Sequence, residues 1–332
     1  MSASAWGRFF GALAAIAGAT LPGLGPASAA GTGLIFVSNE KGNTISVLDP
    51  RTQRVFRTIE TCGRPRDMEW NRDKTLIYVA CADDDRIGIL DVAKLEMVDA
   101  IRYIEEPEAF EIDADERFLY VSNEEDAALS VVDLNSREVV EWIEIGEEPE
   151  GVMISRDGAR VWVASEASNT VHVIDLSTRE VVADILVGTR PRRLAEAPDG
   201  SEVWVTAELA GMANVIDPAT FQVVAEIHFQ PRGFRKDEVT PVDILMTRDG
   251  RTAYVALGRA NHVAVVDVPS RTVEDYILVG RRAWGLTLSR DETRLYVANG
   301  LSDDVSIIDT ATRRVIKSVP VGLIPYGVLI DD

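Results

Sequence analysis

Apolar residues in this chain come in short runs broken by polar turns, and no 3.6-residue period persists for long. The stretch LYVANGLSDDVSIID, residues 295–309, sets the pattern. Two β-branched segments, YVAN and VSIID, flank a polar turn, which predicts a hairpin. Similar wording opens at Phe36 (FVSNEKGNTISVLD) and at Tyr120 (YVSNEEDAALSVVD). A repeat is therefore the first thing to test.

Three markers carry it. An aromatic–Val pair recurs at Phe36, Tyr78, Tyr120, Trp162, Trp204, Tyr254 and Tyr296, in steps of 42 residues apart from one of 50. The Asp that ends the following run, at Asp49, Asp91, Asp133, Asp175, Asp217, Asp267 and Asp309, keeps the same steps. A proline after a loop stands at Pro65, Pro107, Pro149, Pro191, Pro241 and Pro325, with Ala283 in the remaining place. Each copy parses into four strands. In the fifth blade these are 191–196, 203–207, 213–216 and 223–227, with turns at Pro198-Asp-Gly200 and Asp217–Thr220. Seven four-stranded units of this length predict an all-β, seven-bladed propeller of antiparallel blades. The first copy enters at its second strand (34–38), and the chain ends on a first-strand segment, PYGVLIDD at 325–332. The two termini are thus expected to share one blade and close the ring, which leaves no open radial edge.

The repeat letters, YVANGLSDDVSIIDTATRRVIKSVPVG in the last copy, resemble the YVTN family of β-propeller repeats from Leu34 to Asp332. Seven such repeats are most similar to the periplasmic propellers associated with PQQ-dependent catabolism of alcohols. That resemblance implies an accessory role, with a periplasmic dehydrogenase, a cytochrome or a transport component as partner. PQQ enters only through that context, and no covalently bound cofactor is expected. A propeller also serves unrelated functions, so the fold alone does not choose one.

The first residues bear on where the chain works. Arg8, an apolar run from Phe9 to Leu21 and Ala27-x-Ala29 make the pattern of a cleaved secretory signal over residues 1–29. Residues 30–332 are then one propeller domain, periplasmic or secreted, with no membrane span in the mature chain. The formal charge of −20, from 34 basic and 54 acidic residues, argues against nucleic acid or anionic lipid as partner. No C-x-x-C-H motif occurs. Cys62 and Cys81 fall at adjoining ends of one hairpin in blade two, and are either a disulfide or two free thiols.

The seven repeat aspartates read as turn formers, because Thr or Ser follows three residues later at Thr52, Ser136, Thr178, Thr220, Ser270 and Thr312. The second-strand aromatics read as packing between blades. Loops before the first strand and after the second share the top face, and the former are unequal in charge. Arg64, Arg66, Arg190, Arg192, Arg193, Arg281 and Arg282 stand in blades two, five and seven. Blades three and four carry Glu105, Glu106, Glu108, Glu147, Glu148 and Glu150, and Trp284 and Tyr326 follow the proline position in blades seven and one. This rim is either a solvated edge or a binding mouth in which arginines converge on a carboxylate ligand. The eight-residue excess before Pro241 adds Arg232, Arg235 and Lys236 to the top-face candidates. His172 sits inside a strand and reads as structural, and His228 and His262 lack a third metal ligand. No catalytic constellation stands out. The enzyme alternative is a lactonase-type hydrolase using top-face carboxylates, arginines and His228. The third reading is a scaffold resembling the propeller chain of amine dehydrogenases.

Overall fold

The computed structural model describes Met1 and residues 31–332. The expected signal segment lies outside the described residues. From Gly31 to Asp332 the chain folds into seven four-stranded antiparallel sheets, each formed by strands in sequence order. The exception in order is the predicted one: Pro325–Ile330 pairs with Ile35–Asn39, so the first blade is built from both ends of the chain. Two short 3₁₀ turns, Ala82–Asp84 and Lys236–Glu238, are the helical segments among the described residues. No helix there is long and apolar enough to cross a membrane.

Burial along each blade follows from radial position. The second and third strands sit between neighbouring blades and are buried along most of their length, as in Ile35–Asn39 and Ala128–Asp133. The fourth strand lies at the rim and turns alternate residues to water, as in Arg314–Pro320. The core is therefore seven layers between blades rather than one centre. Phe36, Ile45 and Val47 of blade one pack on Ile77, Val79 and Leu90 of blade two, and equivalent sets fill the other six interfaces. The repeat aromatics belong to these layers, and Phe36, Trp162 and Trp204 are almost wholly buried. The repeat aspartates close the bottom turns. Asp49 Oδ1 accepts from the backbone N–H groups of Arg51 and Thr52 at 2.7 and 3.1 Å, and Asp175 does the same for Ser177 and Thr178. These backbone bonds hold the Asp49 carboxyl below its ordinary range.

First strands ring the central channel and present an edge to it. Such an edge leaves N–H groups without ladder partners. Carboxylates from the preceding blade satisfy three of them. Asp67 accepts from Phe110 N at 3.3 Å, Glu69 from Ile112 N at 3.2 Å and Asp243 from Leu286 N at 2.7 Å. Hydroxyls in the second strands do the reverse for carbonyls. Ser38, Ser122 and Thr206 donate to the carbonyls of Arg66, Glu150 and Val242 in the next blade, at 2.7, 3.0 and 2.7 Å.

Candidate functional site: the mouth of the channel

A repeated backbone device shapes the mouth. The residue before the proline position is left-handed at Arg64, Glu106, Glu148, Arg190, Arg282 and Ile324, with φ between 36° and 61°. For a residue with a Cβ this costs about 1 kcal/mol. Its carbonyl is tied down by the N–H of the residue that follows the second strand. Examples are Ala82 to Arg64, Glu124 to Glu106, Glu166 to Glu148 and Glu208 to Arg190. The next two residues fall in a register shift, as between Pro65 and Met68 or Ala283 and Leu286. Turn and bulge together aim the side chains on either side of the proline at the channel.

There the arginines and glutamates of different blades interleave. Arg64 reaches Glu40 at 3.2 Å, Glu106 at 2.6 Å and Glu108 at 3.1 Å. Arg66 meets Glu108 and, at 3.0 Å, Glu150. Glu150 also holds Arg192 at 2.5 Å, and Arg192 in turn contacts Glu166. Arg190 closes the chain with Glu166 at 2.5 Å and Glu208 at 3.0 Å. Arg66, Glu108, Glu150, Arg192 and Glu166 are buried. Trp284 and Tyr326 complete the tier: Arg192 and Arg282 stack on Trp284 at 4.9 and 4.6 Å, and Arg66 on Tyr326 at 4.5 Å. This tier forms a floor across the channel. Above it lies a bowl of about 190 Å³, and below it an inner chamber of about 250 Å³ bordered by Asp67, Glu69, Glu111, Arg193 and Asp243.

Burial and mutual repulsion set the protonation of the floor. Burial pushes the Glu108 carboxyl well above its ordinary range and neighbouring Glu150 adds to this, against the pull of Arg66. Burial acts on Glu150 too, but Arg192 and Arg66 outweigh it and hold that carboxyl ionised. Glu166 is pushed up to about 7 by burial, with Arg192 opposing. In the inner chamber, burial and then Asp67 raise Glu111 to about 8. The Tyr326 oxygen accepts from Arg66 at 3.1 Å and Arg193 at 2.8 Å.

Arg64, Arg66, Glu108, Glu150, Arg190, Arg192, Arg282, Trp284 and Tyr326 thus meet at the mouth or its floor. Glu148 is on the top face but exposed and outside the network. Arg232 and Arg235 are not brought to the mouth. The insertion folds outward over blade six, where Gln230 N donates to Tyr276 on an outermost strand at 2.7 Å and Phe234 meets His262 edge-on. Arg235 is spent locally on Asp237 and Glu238. His172 is structural, its Nε2 accepting from Gly146 N at 2.9 Å and its Nδ1 facing Asp184. His228 lies exposed on an outermost strand beside Glu226, away from the channel. Cys62 and Cys81 form a disulfide with Cα atoms 5.7 Å apart, which pins the loop leading to Arg64 and contributes on the order of 3 kcal/mol.

Sequence reasoning missed Glu40, Glu124, Glu166 and Glu208. All four follow a second strand, at multiples of the 42-residue step, so reading the period at that position would have found them. Oxygens of Glu106, Glu108 and Glu124 lie within 4.8 Å of one another. Arg64 already takes a cation's place between the first two.

Fold and mouth together define a seven-bladed β-propeller with a charged, floored channel. Residues 106–197 match the YNCE-like beta-propeller family, and residues 176–315 match the lactonase, 7-bladed beta-propeller family. No curated protein matches the chain. Among solved structures, it is similar to hydrazine synthase of Kuenenia stuttgartiensis, at 22% identity over 84% of this chain and 93% of that one, with a TM-score of 0.76. A protein from Lactobacillus plantarum aligns at 15% identity over 90% and 99% of the two chains, with a TM-score of 0.78. Dihydro-heme d1 dehydrogenase NirN, in complex with DHE, aligns at 14% over 90% and 75%, with a TM-score of 0.68. At these identities the likeness carries the fold.

Proposed function

We propose that this is an exported, non-catalytic propeller that binds a ligand or protein partner at its top-face mouth. By family resemblance its setting is periplasmic PQQ-dependent alcohol oxidation, as an accessory to a dehydrogenase, a cytochrome or a transport component. One observation carries the binding reading. Arg64, Arg66, Arg190 and Arg192 are matched by carboxylates, whereas Arg282, in the same bowl, has none within 4 Å among the described residues. Its guanidinium is stacked on Trp284 and its donors remain free for an incoming group. Burial without such a partner holds the Arg282 pKa below its ordinary value.

The test is to purify the tagged protein from its native host and identify what is retained, beside Arg282→Glu and Arg232→Glu variants. The reading expects the retained molecule or protein to be lost with Arg282→Glu and kept with Arg232→Glu. Equal retention by both would sink it. A PQQ-dependent dehydrogenase or its cytochrome among the retained proteins would support the proposed setting.

The lactonase match over blades five to seven favours a second reading, hydrolysis at the channel carboxylates. His228 cannot serve there from the outer rim, so Glu166 and Glu208 would have to carry it. Turnover of a lactone panel, abolished by Glu166→Gln, would replace the first reading.

A further inference from the structure

The bowl is bordered by Arg64, Arg66, Arg190, Arg192 and Arg282 against Glu40, Glu124, Glu150 and Glu166. Near-balance of charge disfavours a ligand of strong single sign. The two charges in it that lack an opposite partner stand apart. Arg282 belongs to blade seven, while Glu124 follows the second strand of blade three, on the other side of the seven-membered ring. No Lys, Arg or His nitrogen lies within 4 Å of the Glu124 carboxylate among the described residues. Other carboxyl groups crowd around Glu124. Glu106 and Glu108 bring oxygens within 4.8 Å of it, and Arg64 contacts those two but not Glu124, with Arg66 also on Glu108. Glu108 is fully buried, and neither of its oxygens makes a hydrogen bond of good geometry. The floor between the two poles is occupied by ion pairs that neutralise each other.

We infer that the mouth binds a small zwitterion, an aminocarboxylate whose carboxylate meets Arg282 over Trp284 and whose ammonium meets Glu124. The inference rests on the top-face reading and names its ligand class. A bowl of about 190 Å³ holds roughly six waters at about 30 Å³ each. That is the scale of an amino acid and lies below the ~300–1,000 Å³ of drug-sized sites. A divalent cation at the acidic pole would have to expel Arg64 from Glu106 and Glu108, whereas an ammonium needs only the unpaired Glu124 and its neighbours' outer lone pairs.

Calorimetric titration with glycine, β-alanine, γ-aminobutyrate and ε-aminocaproate measures the span, with alkanoates and alkylamines of matching length as controls. One zwitterion is expected to bind at least about tenfold tighter than either control, or about 1.4 kcal/mol. Arg282→Gln should weaken zwitterion and alkanoate alike. Glu124→Gln should weaken zwitterion and alkylamine and spare the alkanoate. Neither side chain has an ion pair to lose, and unchanged melting curves verify the fold of both variants. An alkanoate binding as well as its zwitterion, with loss in Arg282→Gln, overturns the zwitterion and leaves the top-face reading standing. Zwitterion binding untouched by both variants overturns both. No binding at millimolar concentration overturns the inference, and the capture experiment above then decides the reading.

Discussion

Charge at the mouth is set residue by residue, by who is buried against whom. Glu108 and Glu150 occupy equivalent places in adjacent blades and both contact arginines, yet burial and repulsion push the first carboxyl well above its ordinary range while Arg192 and Arg66 hold the second below it. An amide can imitate a neutral carboxyl but cannot replace a buried counter-charge. Glu108→Gln should therefore cost less stability than Glu150→Gln, which takes from Arg66 and Arg192 the carboxylate they share and should cost about 3 kcal/mol. Urea unfolding midpoints of the two variants measure the contrast, and the reverse order would refute the assignment. The residue scale is also where the sequence was least legible. Arg190 and Arg282 occupy the same repeat position and read alike, but only one has carboxylates beside it.

At the scale of the strand, side-chain volume decides how closely the first strands approach. Gly151 follows Glu150 in blade four, and a Cβ there would collide with the Arg192 carbonyl of blade five. This close approach sets the floor contact between Glu150 and Arg192. Gly151→Ala should destabilise the protein by about 1–3 kcal/mol through forced strand separation. Thermal melts test this, and an unchanged melting temperature would mean that the strands give way freely. The four-strand parse of each copy was legible because alternation and Asp-x-x-Thr turns are local signals. Observed strands such as Met212–Asp217 and Gln222–His228 extend the expected ones only by a residue or so at each end. The bulge after the proline and the left-handed residue before it were not legible. Arg, Glu and Ile all occupy that left-handed position, and none is a residue that announces positive φ.

For the whole molecule, closure and titration are the testable properties. Removing residues 325–332 strips the inner strand from blade one and exposes Ile35–Asn39 as an open edge. The melting temperature should fall by on the order of 10 °C, with loss of monodispersity in scattering. An intact melt would disprove the shared blade. The pH response follows from protons held more tightly in the folded state. Glu166, at about 7, and Glu111, at about 8, both lie above the unfolded reference of 4.5. Their contribution is complete below that reference and is lost as pH rises through about 7 and 8. The turn aspartates such as Asp49 and Asp175 act in the opposite sense, with stability lost as pH falls below their unfolded value of 3.8. Denaturation midpoints should peak near pH 4–5 and decline toward pH 8. Glu111→Gln should flatten the alkaline side, and a profile rising from pH 5 to 8 would contradict the burial of these carboxyls.

The seven blades, their four strands and the ring closure are all written in the amino-acid pattern. These depend on periodic signals within 42 residues and on the strands of one period being divided between the first and last copies, which pair as Ile35–Asn39 with Pro325–Ile330. The pattern also placed most of the mouth, because the proline position recurs in every copy. Which charges are spent depends on packing across the ring. Pairing at the channel joins residues from different blades, as Arg66 of blade two joins Glu150 of blade four, a contact 84 positions apart. Packing also carries the insertion's Arg232 and Arg235 outward over blade six, away from the channel. Ion pairing depends on distance and burial across the ring, and a repeat pattern that describes one blade at a time holds neither.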